Sequence, residues 1–239
     1  MTKRNPKQEG SNLFDCIPQS GKCPMGCNQC FYNRPGAFYT EVPSVPAPEE
    51  VGDGIVRMNC GHDSNIEREL VIATAKQYKN AFFNTSIAQF DFPGPVVWTA
   101  NPNEENVCSS FNLDRPVRRN LMFVRLRVSG TNLPQIDKGV REITDCQVPV
   151  VLTFMSYYSH APVVDEAEVG LPAAECYVWK VRHVNPYWCP TPAFMRKVLE
   201  RYIDNRLVSM CGSIDTPCCR ACRNCETYYW QTIKRMKGE

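Results

Sequence analysis

Three cysteines near the start of the chain stand as Cys23-x3-Cys27-x2-Cys30, and five more crowd its end as Cys211, Cys218, Cys219, Cys222 and Cys225. Thiolates are soft ligands that hold zinc, or iron in sulfide-bridged clusters. Three of them this close can take three irons of a cubane and leave the fourth iron open to a non-protein ligand. Spacing does not single out the first group, because Cys218, Cys222 and Cys225 repeat it. Position does. The early triple falls in a loop, residues 19–35, behind a first short apolar stretch and ahead of the regular part of the chain. Phe31 and Tyr32 follow it directly, rings of the kind that pack against an adenine.

The rest of the composition is ordinary. Of 239 residues, 43% are hydrophobic and 22% charged, with a net charge of +2. That supports a real core and gives no electrostatic case for nucleic acid or membrane. The polar first ten residues have no apolar core of the secretory type, and no apolar run approaches the roughly 18 residues of a spanning helix. The expected setting is cytoplasmic, without a membrane. In a reducing compartment 14 cysteines are not a disulfide framework, and clustered thiols read as metal ligands. The scattered Cys60, Cys108, Cys146, Cys176 and Cys189 read as small buried hydrophobes.

The elements that must position the thiols follow from hydrophobic periodicity. Residues 12–16, 55–59, 81–86, 95–100, 121–128 and 148–154 read as strands. The last is nearly all apolar, as in a parallel sheet covered on both faces. Residues 65–78 and 133–146 read as helices, the second with Ile136, Val140 and Ile143 on one face. The proline-rich stretch 41–50 reads as extended. Residues 176–183 suggest an edge strand or hairpin, 192–205 a helix opened by Thr191-Pro192, and 210–230 a cysteine-dense loop before a basic helical end. Alternating strands and helices imply an α/β fold with a parallel sheet, whose ligands sit at the carboxyl ends of the strands. Polar residues gather at those ends: Asn59-Cys60-Gly61-His62-Asp63-Ser64, Asn84-Thr85-Ser86, Thr99-Ala100-Asn101, Arg127-Val128-Ser129 and Ser156.

With its early cysteine triple, the loop after the second strand and the polar strand ends, residues 12–160 resemble the radical S-adenosylmethionine (SAM) superfamily. The stretches Asn59-Cys-Gly-His-Asp-Ser-Asn65 and Val96-Val-Trp-Thr-Ala-Asn-Pro102 are similar to uncharacterised, phage-associated members with a C-terminal cysteine cluster. The resemblance implies a partial (β/α)6 TIM-like barrel over residues 1–190 and a cysteine-rich C-terminal extension, with its helix, over 191–239. It implies a 4Fe–4S cluster on Cys23, Cys27 and Cys30 whose open iron binds SAM. Reductive cleavage of SAM then gives a 5′-deoxyadenosyl radical that abstracts hydrogen from a substrate. An electron donor such as a flavodoxin or ferredoxin is implied as partner. The substrate is not named: a peptide, a nucleotide or a nucleic acid all suit an open barrel.

By position, Asn59, Gly61, His62 and Asp63 replace the glycine-rich loop that meets the SAM amino group in relatives, although the usual Gly-Gly-Glu-Pro wording is absent. Ser86, Asn101, Arg127 and Ser129 are the candidates for the SAM carboxylate and ribose, and Phe31 or Tyr32 for the adenine. Strand-end Asn and Ser also close turns and cap helices. Gln29 stands where relatives often carry an aromatic. In the tail, Cys211, Cys219, Cys222 and Cys225 suit a second 4Fe–4S cluster, with Cys218 spare and Arg220 and Arg223 offsetting its charge. Zinc on the same thiols is the rival. The alternative for the whole chain is a non-enzymatic zinc or iron–sulfur module, serving as a nucleic-acid adaptor or electron carrier.

Overall fold

The computed structural model describes residues 6–30, 41–104, 119–182, 185–216 and 218–239. Seven strands form one sheet: β1 (Leu13–Cys16), β2 (Ile55–Met58), β3 (Ala81–Thr85), β4 (Val96–Thr99), β5 (Leu121–Val128), β6 (Val150–Phe154) and β9 (Val208–Met210). They lie side by side in chain order, and every pairing is parallel. All carboxyl ends therefore share one rim, and the two edge strands are β1 and β9. Between β6 and β9 a separate antiparallel hairpin pairs β7 (Tyr177–Arg182) with β8 (Asn185–Pro190).

The outer face of the sheet carries Val56, Met58, Phe83, Val124, Leu126 and Leu152, packed under helices that return between strands. These are α1 (Arg68–Ala75), α2 (Leu133–Asp145) and α3 (Pro192–Glu200). In α2 the residues Leu133, Ile136, Val140 and Ile143 are all buried, one apolar stripe at helical spacing. Thr191 caps α3 by accepting the Phe194 amide, with Pro192 in the first turn, an arrangement that uses the missing proline N–H where none is needed. The inner face carries Leu13, Ile55, Phe82, Val97, Phe123 and Val151. The C-terminal helix α4 (Asn224–Lys237) covers these with Tyr229, which is 3% exposed.

Most elements fall where periodicity puts them, and the departures have local causes. Helix α1 starts at Arg68, because Asp63 accepts the Asn65 amide and holds the chain ahead of it in turns. Helix α3 stops at Glu200, after which Arg201 and Tyr202 turn to Asp137. The stretch read as extended contains one short helix, Pro48–Val51. The tail holds an extra strand, β9, which pairs with β6 (Val151 opposite Ser209). No helix among the described residues is long and apolar enough to cross a membrane.

Candidate metal and cofactor site

Both edge strands lead into cysteines at the same rim. β1 ends at Cys16 and runs into the loop of Cys23, Cys27 and Cys30, while β9 ends at Met210 and is followed by Cys211. A cavity of about 570 Å³ lies between them. Its wall includes Cys23, Cys27 and Cys30, then Asn59, Cys60, Gly61, His62 and Asp63 after β2, Ser86 after β3, Arg127 on β5, and Cys211. Of the SAM-binding candidates among the described residues, all share this space apart from two. Asn101 and Ser129 are buried outside the cavity lining. The Asn101 side chain accepts the Arg127 amide at 2.7 Å and donates to the Arg127 carbonyl at 2.8 Å, so it braces β5. Phe31, Tyr32 and Cys108 lie outside the described residues.

The loop after β2 is held from within. Asp63 is 2% exposed. One carboxylate oxygen accepts from the Asn65 amide (2.9 Å) and Thr85 Oγ1 (2.8 Å), the other from the Ser86 amide (2.6 Å) and Ser86 Oγ (2.8 Å). This carboxylate therefore locks the loop to the end of β3. His62 Nδ1 accepts the Asp63 amide at 2.9 Å. Asn59 adopts a left-handed backbone, φ 59°, a conformation that asparagine tolerates better than most residues. Two amide oxygens in the cavity wall, Asn59 Oδ1 and Asn84 Oδ1, are buried with no hydrogen-bond partner among the described residues. A buried acceptor left unpaired costs about 1–3 kcal/mol; neither oxygen is open to the cavity in this structure.

The cysteine loop is clamped from three strand ends. Arg127 Nη2 donates to the Asn28 carbonyl at 2.9 Å and to Glu104 Oε1 at 3.2 Å, both Arg127 and Glu104 side chains being 11% exposed. Glu104 also accepts the Tyr157 hydroxyl. Asn103 Oδ1 accepts the Asn28 amide. Gln29, left-handed at φ 51° and buried, donates to Ser159 Oγ at 2.7 Å and accepts the Tyr158 amide at 3.3 Å. Gln29 thus anchors the loop beyond β6 where an aromatic was expected. The sequence offered no sign of that role.

Burial governs the thiols. It pushes Cys23 up to about 11 and raises Cys27 as well, the latter against the opposing pull of Arg127. In the tail, burial takes Cys219 up to about 12 and Cys225 up to about 11, each opposed first by Arg57. Cys222 is lowered to about 6 by its hydrogen bond with Cys211, which keeps the proton and is raised. Five of these thiols are thus poor nucleophiles at neutral pH, which does not suit a catalytic cysteine. A bound cation reverses that logic by displacing the protons. Among the described residues no three His, Cys, Asp or Glu side chains converge as the ligands of a single metal ion must. Thiolates of a cubane bind different irons and stand further apart. The donor chemistry and shared wall of Cys23, Cys27 and Cys30 fit such a cluster.

In the tail the counter-charges differ from those expected. Arg223 pairs with Glu226 at 3.0 Å, its side chain 68% exposed, and Arg220 packs against Gly10. Arg57 and Arg125, on β2 and β5, are instead the positive charges that oppose the burial-driven rise of the tail thiols. Comparison with protein-family models, with curated proteins and with solved structures gives no match to this chain.

Proposed function

We propose that this chain is a radical SAM enzyme built on a partial (β/α)6 barrel, with its cluster on Cys23, Cys27 and Cys30. The observation that carries the reading is that these three thiols, in the loop after the first strand, line one cavity with the loop after the second strand on a parallel sheet in chain order. When bound, the 4Fe–4S cluster and SAM supply a one-electron cleavage that yields a 5′-deoxyadenosyl radical.

The chain's own residues bind, orient and enclose. Asn59 and Asn84 stand in the cavity wall, on the side where this reading puts the ammonium group of SAM. Asp63 fixes their loop through four hydrogen bonds. Arg127 places a positive charge beside Cys27, easing the accumulation of thiolate charge there, and holds the loop through the Asn28 carbonyl. Met25, Phe154, Met155 and Met195 give the cavity apolar wall, which keeps water from a reactive intermediate. A flavodoxin or ferredoxin would supply the electron. The substrate is of undetermined class and occupies the remaining cavity.

The test is spectroscopic. Protein reconstituted with iron and sulfide without oxygen, then reduced, is titrated with SAM and followed by electron paramagnetic resonance. A cluster signal that changes on adding SAM, and that Cys27→Ala removes, is expected. An iron-loaded protein whose signal ignores SAM would defeat the proposal.

A further inference from the structure

The cavity wall carries more positive charge than its own residues balance. Among the described residues it is lined by the cations Lys7, Arg125, Arg127 and Lys180 and by the carboxylates Asp63 and Asp215. Arg127 pairs with Glu104, and Asp63 is taken up by four hydrogen bonds. Lys7 and Asp215 are exposed and opposite in sign. That leaves Arg125 and Lys180. Among the described residues neither has a carboxylate within ion-pair distance.

The fold brings these two cations in from different sides. Alternation along β5 puts Phe123, Arg125 and Arg127 on the inner face. Phe123 belongs to the inner apolar cluster, and the Arg125 guanidinium carbon lies 6.0 Å from its ring centre. Arg125 thus stands just above the apolar floor, about 7 Å of strand below Arg127. It is half-buried, and among the described residues its side chain donates to Thr99 Oγ1 alone, at 3.4 Å, Thr99 lying opposite it on β4. A guanidinium has five N–H donors, so most are left for a ligand, and Thr99 keeps its own O–H to donate. The second cation comes from the hairpin. Lys180 lies opposite Tyr187, and these two with Cys189 share one hairpin face and line the cavity. The other face carries Trp179 against Trp188. One face of the hairpin therefore closes the cavity, and Lys180 is the charge it brings.

A carboxylate brings one negative charge, whereas a phosphate monoester brings about 1.5–2 at neutral pH. Two cations without carboxylate partners match the second. A guanidinium also forks onto two phosphate oxygens, and an ammonium adds a compact point charge. We propose that the substrate of this cavity is an organic phosphate monoester, its phosphate held by Arg125, Thr99 and Lys180. Phe154 and Met195 supply apolar wall for the organic part. That the ligand is a substrate rests on the radical SAM reading above; the phosphate site itself does not.

The test is calorimetric titration of the full-length, metal-free chain with phenyl phosphate, inorganic phosphate and acetate, at neutral pH and matched ionic strength. Phenyl phosphate should bind more tightly than inorganic phosphate, and acetate ~10-fold or more weaker than the ester. Arg125→Gln and Lys180→Gln should each weaken phenyl phosphate by ~10-fold or more. Lys138→Gln, on α2 outside the cavity lining and paired with Glu142, should leave it unchanged. Wild-type protein that binds no phenyl phosphate overturns the proposal, as do acetate binding equally well and variants that bind like the wild type. Inorganic phosphate binding as tightly as the ester would mark a site for the free ion and overturn the substrate class. Lys180 is exposed, so Lys180→Gln decides the matter should Arg125→Gln fail to fold. Failure of the SAM reading leaves these measurements intact, because they are made without cluster or SAM.

Discussion

Arg127→Met isolates the clamp on the first cysteine loop. The substitution keeps the length and apolar body of the side chain and removes a charge from a buried pair with Glu104, both side chains being 11% exposed. Removing one partner of a buried ion pair costs about 3–5 kcal/mol. Glu104 retains the Tyr157 hydroxyl as a donor and can take up a proton, which places this variant near the lower end, about 3 kcal/mol. For a chain of this size that corresponds to a fall in melting temperature of roughly 6–12 °C. Burial already raises the Glu104 carboxyl against the opposing pulls of Tyr157 and Arg127, and losing Arg127 raises it further. A carboxyl raised in the folded state favours folding while it is protonated and disfavours it as pH rises through the folded value. The gap between wild type and variant should therefore be smaller at pH 5 than at pH 7.5. Urea unfolding of the reduced, metal-free proteins at the two pH values measures it. A difference under about 1 kcal/mol at pH 7.5, or a gap that widens on acidification, would refute the clamp. The same variant should expose Cys27 to alkylation faster, because the Asn28 carbonyl loses its donor.

Two further perturbations test other parts of the account. Asp63→Asn replaces a carboxylate that accepts from Asn65, Thr85 and Ser86 with an amide that cannot accept at both atoms. Thermal unfolding should show a loss of about 2 kcal/mol and SAM affinity should fall with it; an unchanged melting temperature would mean the loop is held by something else. Tyr229→Ala empties the inner face where α4 packs on Phe82. A cost of about 3–5 kcal/mol is expected by denaturant titration, and a mild effect would show that the tail helix is dispensable to the sheet.

Much of the sheet was legible because its strands carry their own signal. Val150–Phe154 is apolar on both faces and α2 places Leu133, Ile136, Val140 and Ile143 on one stripe, so periodicity alone finds them. β9 was not legible: three half-buried residues have no period, and only pairing with β6 makes them a strand. The early cysteine triple and the loop after β2 were found as neighbours because parallel strands put their carboxyl ends together. What each side chain does there was not. Asn101 braces the Arg127 backbone, Gln29 anchors the thiol loop, and Arg57 is buried in a pair with Asp15 of the neighbouring strand. Such roles depend on which strands become neighbours and which face a residue takes, and no local pattern encodes either. Cys60 shows this most clearly, since a single cysteine reads as a small hydrophobe until the sheet brings it into the cavity wall that Cys211 shares.

The most direct test of the central claim is the release of 5′-deoxyadenosine. Protein reconstituted without oxygen is mixed with SAM and a strong reductant, and the nucleoside is followed by chromatography. The account predicts steady formation that needs the reductant and disappears in Cys23→Ala, Cys27→Ala and Cys30→Ala alike, while Cys218→Ser leaves it in place. Iron-loaded wild-type protein that forms no 5′-deoxyadenosine, or a Cys27→Ala variant that forms it at the wild-type rate, would contradict the account.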